Sequence, residues 1–257
     1  MTESEVIAFM LILTRVSAFV GFFTLFSFQQ LPRLIKVGLA VGLSVFWFSQ
    51  FRNTDLTSFS GSVGILDGTL LLAGEFAIGV MMAIAINLFF MPAKIAGAYV
   101  GQELGLSLAS ISSPGTPDSA TLITRVFETF TVLVFFVLDF HHFVILVIDH
   151  SFRELWGKIN ILSLPTEHLV ASLNITNDYG LNMAGPLVVL LAIVTITIAI
   201  LNRVAPTLNL FSVGMSLRTG IGILCLVVFL PVLFNAIRGY LMRTQENIEQ
   251  LLMIFAS

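Results

Sequence analysis

The chain has 257 residues, of which 57% are hydrophobic and 11% charged, with a mean hydropathy of +0.99; ordinary soluble domains carry roughly 25% charged residues. These values exclude a water-soluble globular domain and indicate an all-α integral membrane protein. A net charge of -3, with twelve basic residues scattered along the chain, leaves no basic stripe for nucleic acid.

Spanning a bilayer takes about twenty apolar residues, and six segments approach that length: 6–28, 34–51, 68–91, 124–148, 184–201 and 210–237. They are expected to be mostly helical, the first two as an antiparallel hairpin. The opening MTESEVIAFM lacks the basic residues of a signal peptide, so the first helix is expected to be retained. Only QQLPR separates the first two segments, and Pro32 suits the start of the second helix. Residues 52–67 read as a loop, and Pro92 as the close of the third segment. The stretch 149–183, with Asn174, Asn177, Asp178 and Gly180 as turn formers, reads as the longest polar connection. Basic residues occur in nearly every loop, so charge asymmetry does not fix the orientation. No polar stretch is long enough to enclose a second core, and 1–257 reads as one domain.

Between the third and fourth segments lies GAYVGQELGLSLASISSPGTPDS, residues 97–119. Gly97, Gly101 and Gly105 recur every four residues, a spacing that puts them on one helical face and lets another backbone approach closely. Beyond them Ser107, Ser110, Ser112 and Ser113 offer hydroxyls that compete for the backbone, and Pro114, Gly115 and Pro117, followed by Asp118, stop the helix. A small, polar segment at the midpoint of so apolar a chain implies that it faces water or fills a passage. A second interruption is LNRVAPTLNLFSVGMSL at 201–217, where Pro206 breaks the helix beside Arg203. Pro231 marks a further kink.

Arg15, Glu75, Glu128, Asp139, Arg218 and Arg238 lie in or beside apolar runs, and each would cost about 2.5–3.5 kcal/mol or more at a bilayer centre unless paired or hydrated. Arg125 and Glu128, three residues apart, can form a pair on one helical face. Arg15 has no partner in its own helix. Arg203, Arg238 and Arg243 can extend toward an interface. Acids concentrated on broken helices of two similar halves would mark a proton-coupled transporter; the charges here are dispersed, of mixed sign and without a repeat.

Motifs for chemistry are missing. The sequence contains no HExxH, no G-x-S-x-G and no P-loop. Asp139, His142 and Asp149 could in principle line a metal site, but so loose a motif is a weak signal and membrane-interface histidines are the better reading; the lone Cys225 excludes an internal disulfide. Neither catalytic residues nor a cofactor are expected.

Four stretches, taken in order, resemble one family: LTRVSAFVGFFTLFSFQQLPRLIKVGLAVGLSV, with Arg15 and the turn Leu31-Pro32-Arg33; GEFAIGV at 74–80 with AGAYVGQELGLSLAS at 96–110; FHHFVILVIDHSF at 140–152; and LNRVAPTLNLFSVGMSLRTGIGI from 201. Together they resemble the FliR/SctT family of type III export-gate proteins. Two departures are the order Pro117 then Asp118, where the family often has an acid before Pro, and Phe140, where it usually has Gly. The resemblance implies a subunit built mostly of kinked helical hairpins that joins several copies of FliP and FliQ homologues in a helical assembly, enclosed by the basal-body ring in the bacterial inner membrane. Unfolded export substrates would pass through its centre. It further implies that the loop 107–118 plugs the pore, that an FlhB homologue contacts the closed gate, and that the system is flagellar or, alternatively, a virulence SctT system.

Overall fold

In the computed structural model the described residues are 3–24, 32–51, 65–105, 122–154, 166–204 and 210–256. Among them are eight helices and no strand: α1 (Glu3–Phe22), α2 (Arg33–Phe51), α3 (Ile65–Asn87), α4 (Met91–Glu103), α5 (Leu122–Val137), α6 (Phe140–Glu154), α7 (Thr166–Val204) and α8 (Leu210–Ala256). Five helices are long and apolar enough to cross a membrane, and α5 with α6 makes a sixth if that pair forms one broken span. The protein is therefore an all-α membrane protein with the expected number of apolar segments.

The chain divides into two compact units. In the first, composed of Met1–Leu88, His141–Leu169 and Gln245–Ser257, α1 packs against α2 and α3. Residues Ala40, Ser44, Trp47 and Phe51 of α2 are buried, a spacing of three and four that forms one narrow seam. The opposite side exposes Leu34, Val37, Val41, Val45 and Phe46, a surface compatible with lipid or another apolar helix. Trp47 and Phe51 meet the ring of Phe152 at centroid distances of 5.7 and 5.9 Å. The start of α2 follows the proline logic, since the exposed Pro32 precedes Arg33 and its carbonyl accepts the N–H of Ile35 at 3.0 Å.

In the second unit, Phe89–Phe140 and Val170–Thr244, α4 packs against α5. Ile123, Thr124, Phe127, Glu128, Thr131, Val134 and Phe135 are the buried positions of α5, a helical period that gives it one buried face. Phe90 and Phe135 lie 5.2 Å apart, with Phe89 and Phe140 completing an aromatic cluster. Hydroxyls inside these apolar helices bond back to their own turns: Thr131, Thr176, Thr195 and Thr244 each donate to the carbonyl four residues earlier. Such bonds satisfy a polar side chain where water is scarce.

Three expectations are corrected. Pro92 does not close a helix but sits in the first turn of α4, where its missing N–H has no partner to lose. The fourth apolar segment is not continuous: it breaks at Leu138 and Asp139, where Asp139 adopts φ 59° and its N–H bonds the carbonyl of Phe136 at 3.1 Å. Asp tolerates this left-handed conformation better than most residues. The turn formers of 149–183 belong instead to α7, which begins at Thr166. Asn174, Asn177 and Asp178 lie exposed on that helix, where their low helix propensity costs little. Gly180 is buried, and a Cβ there would stand 2.8 Å from Cβ of Ile95. It is a packing glycine.

Candidate functional site

Among the described residues, two ion-paired clusters are considered first, one in each unit. In the first unit Arg15, fully buried in the middle of α1, donates from Nε to Oε2 of Glu75 on α3 at 2.5 Å. From Nη1 it donates to the carbonyl of Ser151 at 2.7 Å and to its hydroxyl at 3.2 Å. Ser151 in turn donates to the Ile148 carbonyl at 2.8 Å. The guanidinium also stands 4.5 Å from the centroid of the Phe152 ring, a favourable place for a cation stripped of water. Arg15 therefore ties α1, α3 and α6 together within this chain. The backbone beside it is tight as well: a Cβ on Gly79 would collide with the Arg15 carbonyl and lie 2.8 Å from Cβ of Ala18. At the end of α3, Asn87 accepts the Thr24 N–H at 2.7 Å and donates to the Phe22 carbonyl at 2.8 Å, holding the exit of α1.

The second cluster surrounds the end of α4. A Cβ on Gly97 would lie 2.6 Å from Cα of Thr124, so the absence of a side chain lets α4 rest on the α5 backbone. Gly101 is buried on the same helix. Gly105 differs from the expected packing role: α4 ends at Glu103, and Gly105 follows the cap residue Leu104 with φ 74°. Its N–H bonds the Gln102 carbonyl at 2.9 Å, and glycine is favoured there because it enters the left-handed region without steric cost. Of the three glycines, Gly97 lets α4 rest on α5, Gly101 is buried, and Gly105 ends the helix.

Immediately before that stop, Glu103 Oε2 accepts from Arg218 Nη2 of α8 at 2.5 Å. Thr219 donates to the Leu104 carbonyl at 3.3 Å. In the same unit Lys94 lies 3.4 Å from Glu128, and Arg125, which the spacing offered as a partner, is exposed. Arg203 is exposed in the last turn of α7. Asp149, named with the loose metal spacing, binds Arg153 at 2.8 Å. Ser107, Ser110, Ser112, Ser113, Pro114, Gly115, Pro117 and Asp118 lie outside the described residues, as does Pro206.

Sequence reading named Arg15, Glu75 and Arg218 as costly charges but did not join Arg15 to Glu75 or Arg218 to Glu103. The cost of each charge was the available signal. A cation at the centre of one apolar helix calls for an acid in another, and Glu75 is such an acid. Ser151, Asn87 and Thr219 gave no comparable signal.

These helices, with the ion pairs found among the described residues, are those of a polytopic helical membrane protein. The profile of the bacterial export proteins, family 1, matches residues 6–244, and the chain belongs to that family. The flagellar biosynthetic protein FliR of Bacillus subtilis is 26% identical over 250 residues, covering 95% of this chain and 94% of its own length. That of Escherichia coli is 25% identical over 224 residues, covering 86% and 83%. That of Aquifex aeolicus is 28% identical over 233 residues, covering 90% and 88%.

Proposed function

We propose that this chain is a non-enzymatic subunit of a flagellar protein-export gate in the bacterial inner membrane. With several copies of FliP and FliQ homologues it forms the channel for unfolded export substrates, and an FlhB homologue contacts the closed gate. The segment 107–118 serves as the plug. Family membership over residues 6–244 carries this reading, and the flagellar relatives favour a flagellar system over a virulence one.

A stand-alone proton-coupled transporter, with Glu75, Glu128 or Asp139 as proton carriers, is the reading to beat. Two of these acids are bound to cations of this chain, Glu75 to Arg15 and Glu128 to Lys94, which supports a packing role over a carrier role for them. Native mass spectrometry of the detergent-extracted protein separates the two. The gate predicts a stable complex with two further small membrane proteins, and a monomer that moves a small solute into liposomes would overturn it.

A further inference from the structure

The turn that follows α5 carries a cluster of another kind. Asp139, His141 and His142 fall within one short stretch of chain, and each offers a ligand atom, a carboxylate oxygen or an imidazole nitrogen, within 4.8 Å of the others. The two imidazole rings lie 4.1 Å apart, centroid to centroid, and are tilted by 38°. Consecutive side chains on a helix point about 100° apart, so rings this close have turned toward each other. Asp139 and His142 are exposed and His141 is half-buried, which leaves the cluster open on one side.

The backbone at this turn is costly in a way that points to the side chain. Among the described residues Asp139, with φ 59°, is the one non-glycine in the left-handed region. The turn is closed by the N–H of Leu138 on the Val134 carbonyl at 3.0 Å and by that of Asp139 on the Phe136 carbonyl at 3.1 Å. Glycine would make the same turn without steric cost. A charged residue kept in a strained conformation motivates a search for a task that its side chain performs. Asp149, which the sequence spacing offered to the same site, binds Arg153 instead.

We propose that Asp139, His141 and His142 bind one divalent transition-metal ion such as zinc. Two imidazole nitrogens and a carboxylate oxygen are ligands that zinc takes at about 2.0–2.2 Å, whereas magnesium and calcium call for oxygen ligands throughout. Ligand atoms around a tetrahedral zinc stand roughly 3.4 Å apart. The wider spacing here closes by rotation of the exposed Asp139 and His142 side chains. Three protein ligands leave a fourth position for water, and the bound ion holds the turn after α5 in a single shape.

The test uses the purified full chain without a polyhistidine tag, stripped by a chelator, given zinc alone and dialysed against metal-free buffer. About one zinc per chain is expected to remain, with an X-ray absorption spectrum showing two imidazole ligands. Loss of a ligand costs at least as much as loss of a residue that supports one, so His142→Gln and Asp139→Asn, both at exposed positions, should each weaken zinc binding at least about tenfold. His150→Gln, outside the cluster, should change it by less than about twofold. A chain that retains no zinc overturns the proposal. Equal retention by the His142→Gln and Asp139→Asn chains also overturns it, because the zinc is then an adventitious ion held elsewhere. If those two variants do not reach the membrane, the unmodified chain decides: a spectrum without two imidazole ligands removes the site and leaves His141 and His142 as a stacked pair that packs the turn.

Discussion

Arg15 and Arg218 each hold a glutamate at 2.5 Å, in different units and in opposite circumstances. The Arg15 pair is almost completely buried, with side-chain exposures of 0% and 4%, and is reinforced by Ser151 and the Phe152 ring. The Arg218 pair is partly exposed and leaves one donor unmet. An ion pair inside low-dielectric surroundings is costly to break, because removing one partner strands the other charge. A pair with open surface leaves its remaining partner reachable from outside when one side is removed. The first therefore joins three helices in a closed site, whereas the second joins α4 and α8 in a more open one.

Breaking the first pair should have the largest effect. Glu75→Ala leaves a buried guanidinium with an empty place before it and is expected to destabilise the first unit by about 3–5 kcal/mol, read as loss of the chain from the membrane fraction. Replacing both partners by apolar residues of similar volume, Arg15→Met with Glu75→Leu, should recover much of that loss, because no charge is then stranded. If the double variant is as poorly folded as Glu75→Ala, the loss is not due to the stranded charge.

Next in size is Gly97→Leu. Its side chain would enter the α5 backbone at Thr124, and overpacking of this kind costs about 1–3 kcal/mol. A lower midpoint of thermal unfolding in detergent is expected, and an unchanged midpoint would show that α4 and α5 can separate freely. Arg218→Ala should cost no more than about 1 kcal/mol of stability, read as a small fall in the same unfolding midpoint. The smallest effect is expected from Asp139→Gly, which relieves a left-handed non-glycine residue and should stabilise the chain by about 1 kcal/mol or less. A fall in the unfolding midpoint would mean that the Asp139 side chain supports the break between α5 and α6.

Much of this fold is legible in the sequence because hydropathy is a local property. The apolar segments and the arrest of a helix after Gly97 and Gly101 follow from residue order alone. Pairing is not local: 60 residues separate Arg15 from Glu75 and 115 separate Glu103 from Arg218, so only the cost of each isolated charge hinted that a partner existed. Local signals also misled where tertiary packing outweighed propensity. Gly180 reads as a turn former but admits Ile95, and Arg125 reads as the partner of Glu128 while Lys94 lies beside that acid. Gly105 shares a four-residue spacing with the packing glycine Gly97 and the buried Gly101, yet its backbone conformation gives it another task.

The contrast between the two pairs is tested most directly by hydrogen exchange on the assembled complex. Amides of Leu104 and Gly105 should exchange through local opening as the end of α4 leaves α8, and Arg218→Ala should speed them further. Amides of α1 and α3 around Arg15 and Glu75 should exchange only with unfolding of the whole unit. Equal protection at both places, or earlier opening around Arg15, would contradict the distinction between a closed pair and a more open one.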